Sequence, residues 1–304
     1  MLIRLQTLVS VQTIMSFHAV EISFPLDYQP PLWRHKPANF ITFFIGHEGP
    51  GSLHSYLKNK GWITALNAGT QNLARGFAMY KVTIHLTTEG FRAFLLYVTP
   101  SQRCSFAFTV NHRSVIMATF KYISLLRSSP FPAWCQHEQA LLSAIRFRFS
   151  EKRRPDDYAV VVTEHMAWPV PPELVISAPR LVWEWDEGVD VGEKEVRDIL
   201  ETLKVDQGRA VLMARAEEHM KICGPTAQWE KEPWYGTLYR VENLDESFIR
   251  EVRRTISQLY ATVVDLGNQA HGPNDIPELR LPGPNKFIPS NLDVDKLDVL
   301  EVCV

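Results

Sequence analysis

Phe40-Ile41-Thr42-Phe43-Phe44-Ile45-Gly46-His47-Glu48-Gly49-Pro50-Gly51-Ser52 is the stretch on which the reading of this chain turns. Its first six residues form an almost continuous apolar run, the pattern of a strand buried on both faces. Gly46 to Gly51 then break any regular structure. Ser52 is a good N-cap, and Leu53, Tyr56 and Leu57 recur at helical spacing as far as Lys60, with Gly61 as the stop. The expected local order is strand, glycine-rich turn, helix.

Working outward, Glu21-Ile22-Ser23-Phe24 predicts a first strand stopped by Pro25, and Pro30-Pro31 a loop. Trp62 to Leu66 and Phe77 to Leu86 predict two more strands. In the second, Val82, Ile84 and Leu86 alternate with Lys81, Thr83 and His85, which implies one wet face. The remainder reads as mostly helical. Helices are expected from Pro132 to Phe149, from Asp156 to Trp168 and from Glu193 to Lys204, with a strand at Arg209–Met213. Beyond about Gly224 the composition shifts. Gly267 to Pro289 is rich in Pro, Gly and Asn, so this part is expected to be an arm packed on a neighbour.

Composition bounds the function. The chain has 304 residues, 45% hydrophobic and 22% charged, with a net charge of −2. These values fit a globular protein and give no general pull toward nucleic acid or acidic membranes. Cys104, Cys135, Cys223 and Cys303 form no CxxC pair, which argues against a zinc knot or a disulfide scaffold and suits a reducing compartment. No apolar run of about 18 residues is present to suggest a transmembrane helix. Met1 to Val20 is a poor secretory signal and only weakly like a mitochondrial leader. The cytoplasm is expected rather than the mitochondrion.

The chemistry-bearing motifs fail one by one. A zinc protease needs two His one helical turn apart with a Glu beside them, spaced HExxH or HxxEH. His47-Glu48 runs into Gly-Pro-Gly, and His137-Glu138 lacks a second His. Glu164-His165 has Val161, and Glu218-His219 has Arg215, where the first ligand of the inverted motif belongs. There is no GxGxxG, no phosphate loop and no GxSxG elbow. Arg146, Arg148, Lys152, Arg153 and Arg154 lie at a helix C-terminus, where cations offset the dipole, and Asp156 and Asp157 follow. Cys135 with Glu164 and His165 could in principle make a nucleophile site, but a thiol beside Trp134 in an amphipathic helix reads as buried and inert.

Ile45-Gly46-His47-Glu48-Gly49-Pro50-Gly51-Ser52-Leu53, Leu57-Lys58-Asn59-Lys60-Gly61-Trp62 and Ala74-Arg75-Gly76-Phe77 together match something specific. So do Phe147-Arg148-Phe149 before Arg154-Pro155, Trp234-Tyr235-Gly236-Thr237 and Asn285-Lys286-Phe287-Ile288-Pro289-Ser290-Asn291. In this order they resemble the insulin-degrading enzyme (insulysin) branch of the pitrilysin-type zinc metalloproteases, and within it the fungal members that mature a-factor pheromone. The resemblance implies an α+β fold: a two-layer lobe with a mixed, mostly antiparallel sheet packed by helices, and an irregular C-terminal arm. It divides the chain into an unmatched segment 1–20, a non-catalytic second lobe 21–223 and an arm 224–304 that starts the connector to a third lobe. An unmatched insert occupies about 95–115, and both it and the N-terminal segment read as gene-model artefacts.

By the same resemblance this lobe anchors the amino terminus of an extended peptide, away from the zinc. The matching positions are Gly46, Glu48, Leu66, Asn67, Ala68 and Gly69, with His47, Gly49 and Gly51 as secondary candidates. Two readings stay open at each. Gly49, Pro50 and Gly51 either shape the turn or admit the peptide. His47 is either bonded to the turn backbone or in contact with substrate, and Glu48 either caps the next helix or pairs with a peptide ammonium. Phe43 stands where relatives carry a His, and Asn67-Ala68 replaces a more apolar, glycine-rich pair. The expected partners are extended peptides, together with the remaining lobes of the protease or a separate zinc-bearing subunit whose chamber this chain completes in trans. Zinc is expected in the full-length relatives and not in this chain.

Overall fold

The computed structural model describes residues 6–91, 93–95, 108–185, 191–224, 226–266 and 279–289. Strands β1 (Thr7–Gln12) and β2 (His18–Asp27) lead into helices α1 (Pro37–Ile45) and α2 (Leu53–Asn59). The hairpin β3 (Ile63–Ala74) and β4 (Phe77–Leu86) follows, then α3 (Thr88–Phe91) and a short ribbon of β5 (Ala93–Leu95) and β6 (Phe108–Val110). Four helices come next: α4 (Asn111–Ser128), α5 (Ala133–Arg148), α6 (Pro155–Met166) and α7 (Val191–Thr202). The last elements are β7 (Arg209–Ala214), α8 (Ala216–Cys223), β8 (Glu230–Lys231), β9 (Leu238–Asn243) and α9 (Glu246–Leu266).

Seven strands make one sheet in the order β3-β4-β2-β7-β1-β9-β8. The β1–β7 pair is parallel and the other pairs are antiparallel, so the sheet is mixed and mostly antiparallel as expected. Helices pack against it. Phe24 of β2 meets Phe120 of α4 edge to face at 6.0 Å, inside a core that also takes in Ile41, Phe44, Leu57, Ile84, Ile123 and Leu200.

Four expectations change. Phe40–Ile45 is helix α1, not a strand. Pro37 fills its first turn, and Phe40, Ile41, Phe44 and Ile45 are buried while Asn39 is exposed and Thr42 and Phe43 are half-buried. A six-residue apolar run fits both geometries, and the Pro-initiated first turn decides between them. Pro25 does not stop its strand. β7 pairs with β2 only over Ala19–Ser23, so at Pro25 that side of β2 needs no ladder donor. Thr7–Gln12 from the N-terminal segment lies inside the sheet, between β7 and β9. Beyond Gly224, β8 and β9 extend the same sheet. Of the insert, residues 96–107 lie outside the described residues, and Asn111–Val115 opens α4.

Two arginines fasten α4 to α7 reciprocally. Arg197 on α7 donates to Arg127 O and Ser129 O, both at 2.9 Å, at the C-terminus of α4, and pairs with Glu193 at 2.9 Å. Its guanidinium lies 3.9 Å from the Phe131 ring. Arg127 on α4 donates to Leu200 O at 2.8 Å at the C-terminus of α7. Each cation thus serves the orphan carbonyls and the negative dipole end of the other helix. Arg197→Met is expected to destabilise the fold by about 2 kcal/mol, because the apolar stem remains and the charge-assisted bonds go. A lower urea midpoint at unchanged slope checks this.

Phe91 carries three histidine rings, with centroids at 4.6 Å for His18, 6.2 Å for His112 and 6.0 Å for His219. His112 is 2% exposed, and burial, with Arg113 beside it, pushes its imidazole down to about 3. Burial also lowers His219, whose Nε2–H donates to Val11 O at 3.0 Å. Both rings are neutral when folded, while in the unfolded chain they take up a proton below ~6.5. The stability they confer is therefore complete above that pH and is lost as pH falls toward the folded-state values. Unfolding free energy is expected to drop from neutrality to pH ~4, by up to ~1.4 kcal/mol per unit from His112 and in the same direction from His219, and to drop less steeply in His112→Phe.

Candidate functional site

The glycine-rich turn joins two helices. Gly46 ends α1 with its N–H on Thr42 O at 2.8 Å, and a Cβ there would come within 3.1 Å of that same oxygen. The Gly49 N–H donates to His47 Nδ1 at 3.0 Å, which places the ring proton on Nε2. A Cβ on Gly49 would lie 2.5 Å from His47 Cε1. Gly51 has φ +85°, and its carbonyl accepts from Arg280 N at 2.9 Å. The Ser52 side chain accepts from Ser55 N at 3.1 Å and is the N-cap of α2. His47 is thus bonded to the turn backbone, and Ser52, rather than Glu48, caps the helix. Burial lowers the His47 pKa, with Glu138 and Glu48 working in the opposite sense.

Beside the turn runs β3, the edge of the sheet, whose ladder partner among the described residues is β4. A bulge between Ile63 and Ala65 resets its register. Leu66 is then buried, Asn67 exposed and Ala68 half-buried. Turn and edge strand border one cleft of about 720 Å³ that Gly46, His47, Glu48, Leu66, Asn67 and Ala68 all line. Gly69 lies one residue further along β3, with open space where a Cβ would sit. Gly49 backs the His47 ring and Gly51 backs Arg280, so neither lines the cleft.

The opposite wall was not legible in the sequence. Gln139, Leu142, Ser143 and Arg146 come from one face of α5, and Arg180 and Val182 from the segment before α7. That segment is tied down at several points. Val182 N donates to Ser143 Oγ at 2.9 Å, and Gln136 Nε2 donates to Trp183 O at 3.1 Å. Lys36 Nζ donates to Ala178 O at 2.7 Å and also to Leu181 O. These contacts join residues far apart in sequence. Arg146 read as a dipole-compensating end residue, and it is one, in the last turn of α5. Arg154, expected at the same helix end, instead stands at the N-cap of α6 and pairs with Asp156 at 2.6 Å.

On the far side of His47, residues 280–287 form a strap over the turn. Asn285 N donates to Glu138 Oε2 at 3.1 Å. A second cleft of about 780 Å³ lies under the strap and shares Phe43, His47 and Leu142 with the first.

Zinc does not fit here. His47 Nδ1 is taken by the Gly49 N–H, and among the described residues no three His, Cys, Asp or Glu side chains are grouped to hold a metal. Cys135 is fully buried, its thiol pushed up to about 12 by burial, which leaves it no thiolate near neutrality. No helix among the described residues is long and apolar enough to cross a membrane.

Residues 147–302 match the family model described as the middle or third domain of peptidase M16. The chain belongs to the peptidase M16 family. It is 26% identical to the A-factor-processing enzyme of Saccharomyces cerevisiae over 97% of its own length and 24% of that protein's. It is 29% identical to the human insulin-degrading enzyme over 88% of its length and 21% of that protein's. In three dimensions it is similar to pitrilysin, with a TM-score of 0.71 and 18% identity, over 94% of this chain and 25% of that one. The chain therefore spans about a quarter of the length of these three proteins.

Gly49→Ala is expected to dislodge the His47 ring. By NMR titration, His47 should titrate below the ordinary ~6.5 in the parent chain and move up toward it in the variant, as the ring leaves its half-buried seat.

Proposed function

We propose that this chain is the non-catalytic peptide-docking lobe of an insulin-degrading-type metallopeptidase. In this reading it anchors extended peptides by their amino terminus in the cleft between β3 and the Gly46–Glu48 turn and cleaves nothing by itself. The observation that carries the proposal is an edge strand facing an uncommitted carboxylate. β3 has a ladder partner on one side only among the described residues. Glu48 lines the same cleft, is exposed, and makes no hydrogen bond or ion pair with another described residue. An extended peptide can add to such an edge through its backbone, and its terminal ammonium can pair with the carboxylate. The small side of Ala68 and the missing one of Gly69 let a second backbone approach closely. His47, bonded to its own turn, shapes the site and leaves Glu48 as the polar contact. The absent HxxEH motif and the lack of a grouped metal-ligand set among the described residues support a role without chemistry in this chain.

The test is binding of one labelled peptide with a free or an acetylated amino terminus, followed by fluorescence anisotropy. Acetylation is expected to weaken binding about fivefold, the ~1 kcal/mol of a partly exposed ion pair, and Glu48→Gln should erase the difference. Equal binding of both peptides, or zinc-dependent cleavage by this chain alone, would overturn the proposal.

A further inference from the structure

The cleft is electrically two-ended. Glu48 is the one acidic side chain lining it among the described residues, and it stands at the turn. Arg146 and Arg180 line the wall opposite and form no ion pair or side-chain hydrogen bond with a described residue. Gln139 lines the same cleft, is 9% exposed, and its Nε2 has no hydrogen-bond partner among the described residues. A buried amide donor left unpaired costs about 1–3 kcal/mol, so its retention at a cleft wall points to an acceptor that arrives with a ligand.

The spacing says where along a ligand these groups fall. Gln139, Leu142, Ser143 and Arg146 follow one another at i, i+3, i+4 and i+7 on α5. At ~1.5 Å rise per residue, Arg146 lies ~10 Å along the helix from Gln139. The Gln139 end of α5 is the end beside the turn, since the adjacent Glu138 acts on the His47 ring and receives Asn285 N. An extended peptide advances ~3.3 Å per residue, so ~10 Å is about three residues.

We propose that the cleft selects peptides carrying an Asp or Glu as the third or fourth residue, whose carboxylate is received by Arg146 and Arg180 while Gln139 Nε2 donates to a peptide carbonyl. This rests on the docking reading above, which supplies the position of the amino terminus. The substrate class is then narrower than β-prone peptides in general: an ammonium at one end and an acidic side chain one short strand-length away. Arginine suits the task, since its planar fork can take a carboxylate with two parallel bonds. Arg180 also lines the neighbouring cleft with Lys152 and Arg153 against one acid, Glu151, so cations outnumber acids on that side.

The experiment compares three peptides identical except for Glu, Gln or Lys at the third and fourth positions, bound to the full chain and read by anisotropy. The Glu peptide is expected to bind about tenfold tighter than the Gln peptide and the Lys peptide weakest, with the gap shrinking as salt is raised. Arg146→Glu with Arg180→Glu should invert the order. Gln139→Leu should weaken all three peptides about equally while raising thermal stability, a combination that a merely structural glutamine would not give. If the three peptides bind alike while acetylation still weakens binding, this inference falls and the docking reading stands. If no peptide binds in any form, both fall.

Discussion

Lys36 joins the two halves of the cleft. Its backbone is left-handed, at φ +46°, and turns the chain into α1. Its ammonium has three N–H donors, and each finds a carbonyl: Trp33 O, Ala178 O and Leu181 O, with the Trp183 ring 5.6 Å away. Removing an ammonium from water is costly unless its donors are filled, and here all are. One side chain thereby fixes where α1 begins and where residues 178–183 lie. α1 delivers the Gly46–Glu48 turn to one wall, and residues 180–182 form the other. The cleft is a consequence of that anchorage.

The same economy recurs at α4 and α7, where Arg127 and Arg197 each complete the other's helix end. Cations aimed at carbonyls hold the helical layer together, and Arg146 and Arg180 stand apart by having no such partner among the described residues. A charge satisfied inside the fold is architecture. A charge left at a cleft wall is available to a ligand. That contrast, together with the unpaired amide of Gln139, gives the site its chemical character more than its shape does.

Much of the fold could be read in advance where the local signal was redundant. Ser52 caps a helix because a hydroxyl there meets the free N–H of Ser55, and the alternation of β4 announces a strand with one buried face. The helices starting near Pro132 and Asp156 and the strand at Arg209 appear within a residue or so of their sequence signals. The Phe40–Ile45 run misled, because apolar residues in succession suit a helix buried on several sides as well as a strand. Thr7–Gln12 has too few residues to declare itself, and it becomes a strand because β7 and β9 supply ladders on both sides. The resemblance to M16 peptidases was legible because its motifs are short, ordered and spread over the chain.

By itself the sequence determined which metal motifs are absent and which residues gather at the turn. No His pair has the spacing a zinc peptidase needs, and His47-Glu48 runs into glycines and a proline that cannot continue a helix. Such spacing rules act within one turn of the backbone, so they need no fold. Tertiary structure alone decided that, among the described residues, β3 is an edge and Gln139 is buried without a partner, and that Arg146 and Arg180 line one space with Glu48. Those facts depend on contacts between residues 39 to 145 positions apart, set by packing and by the Lys36 anchorage, and no local pattern encodes them.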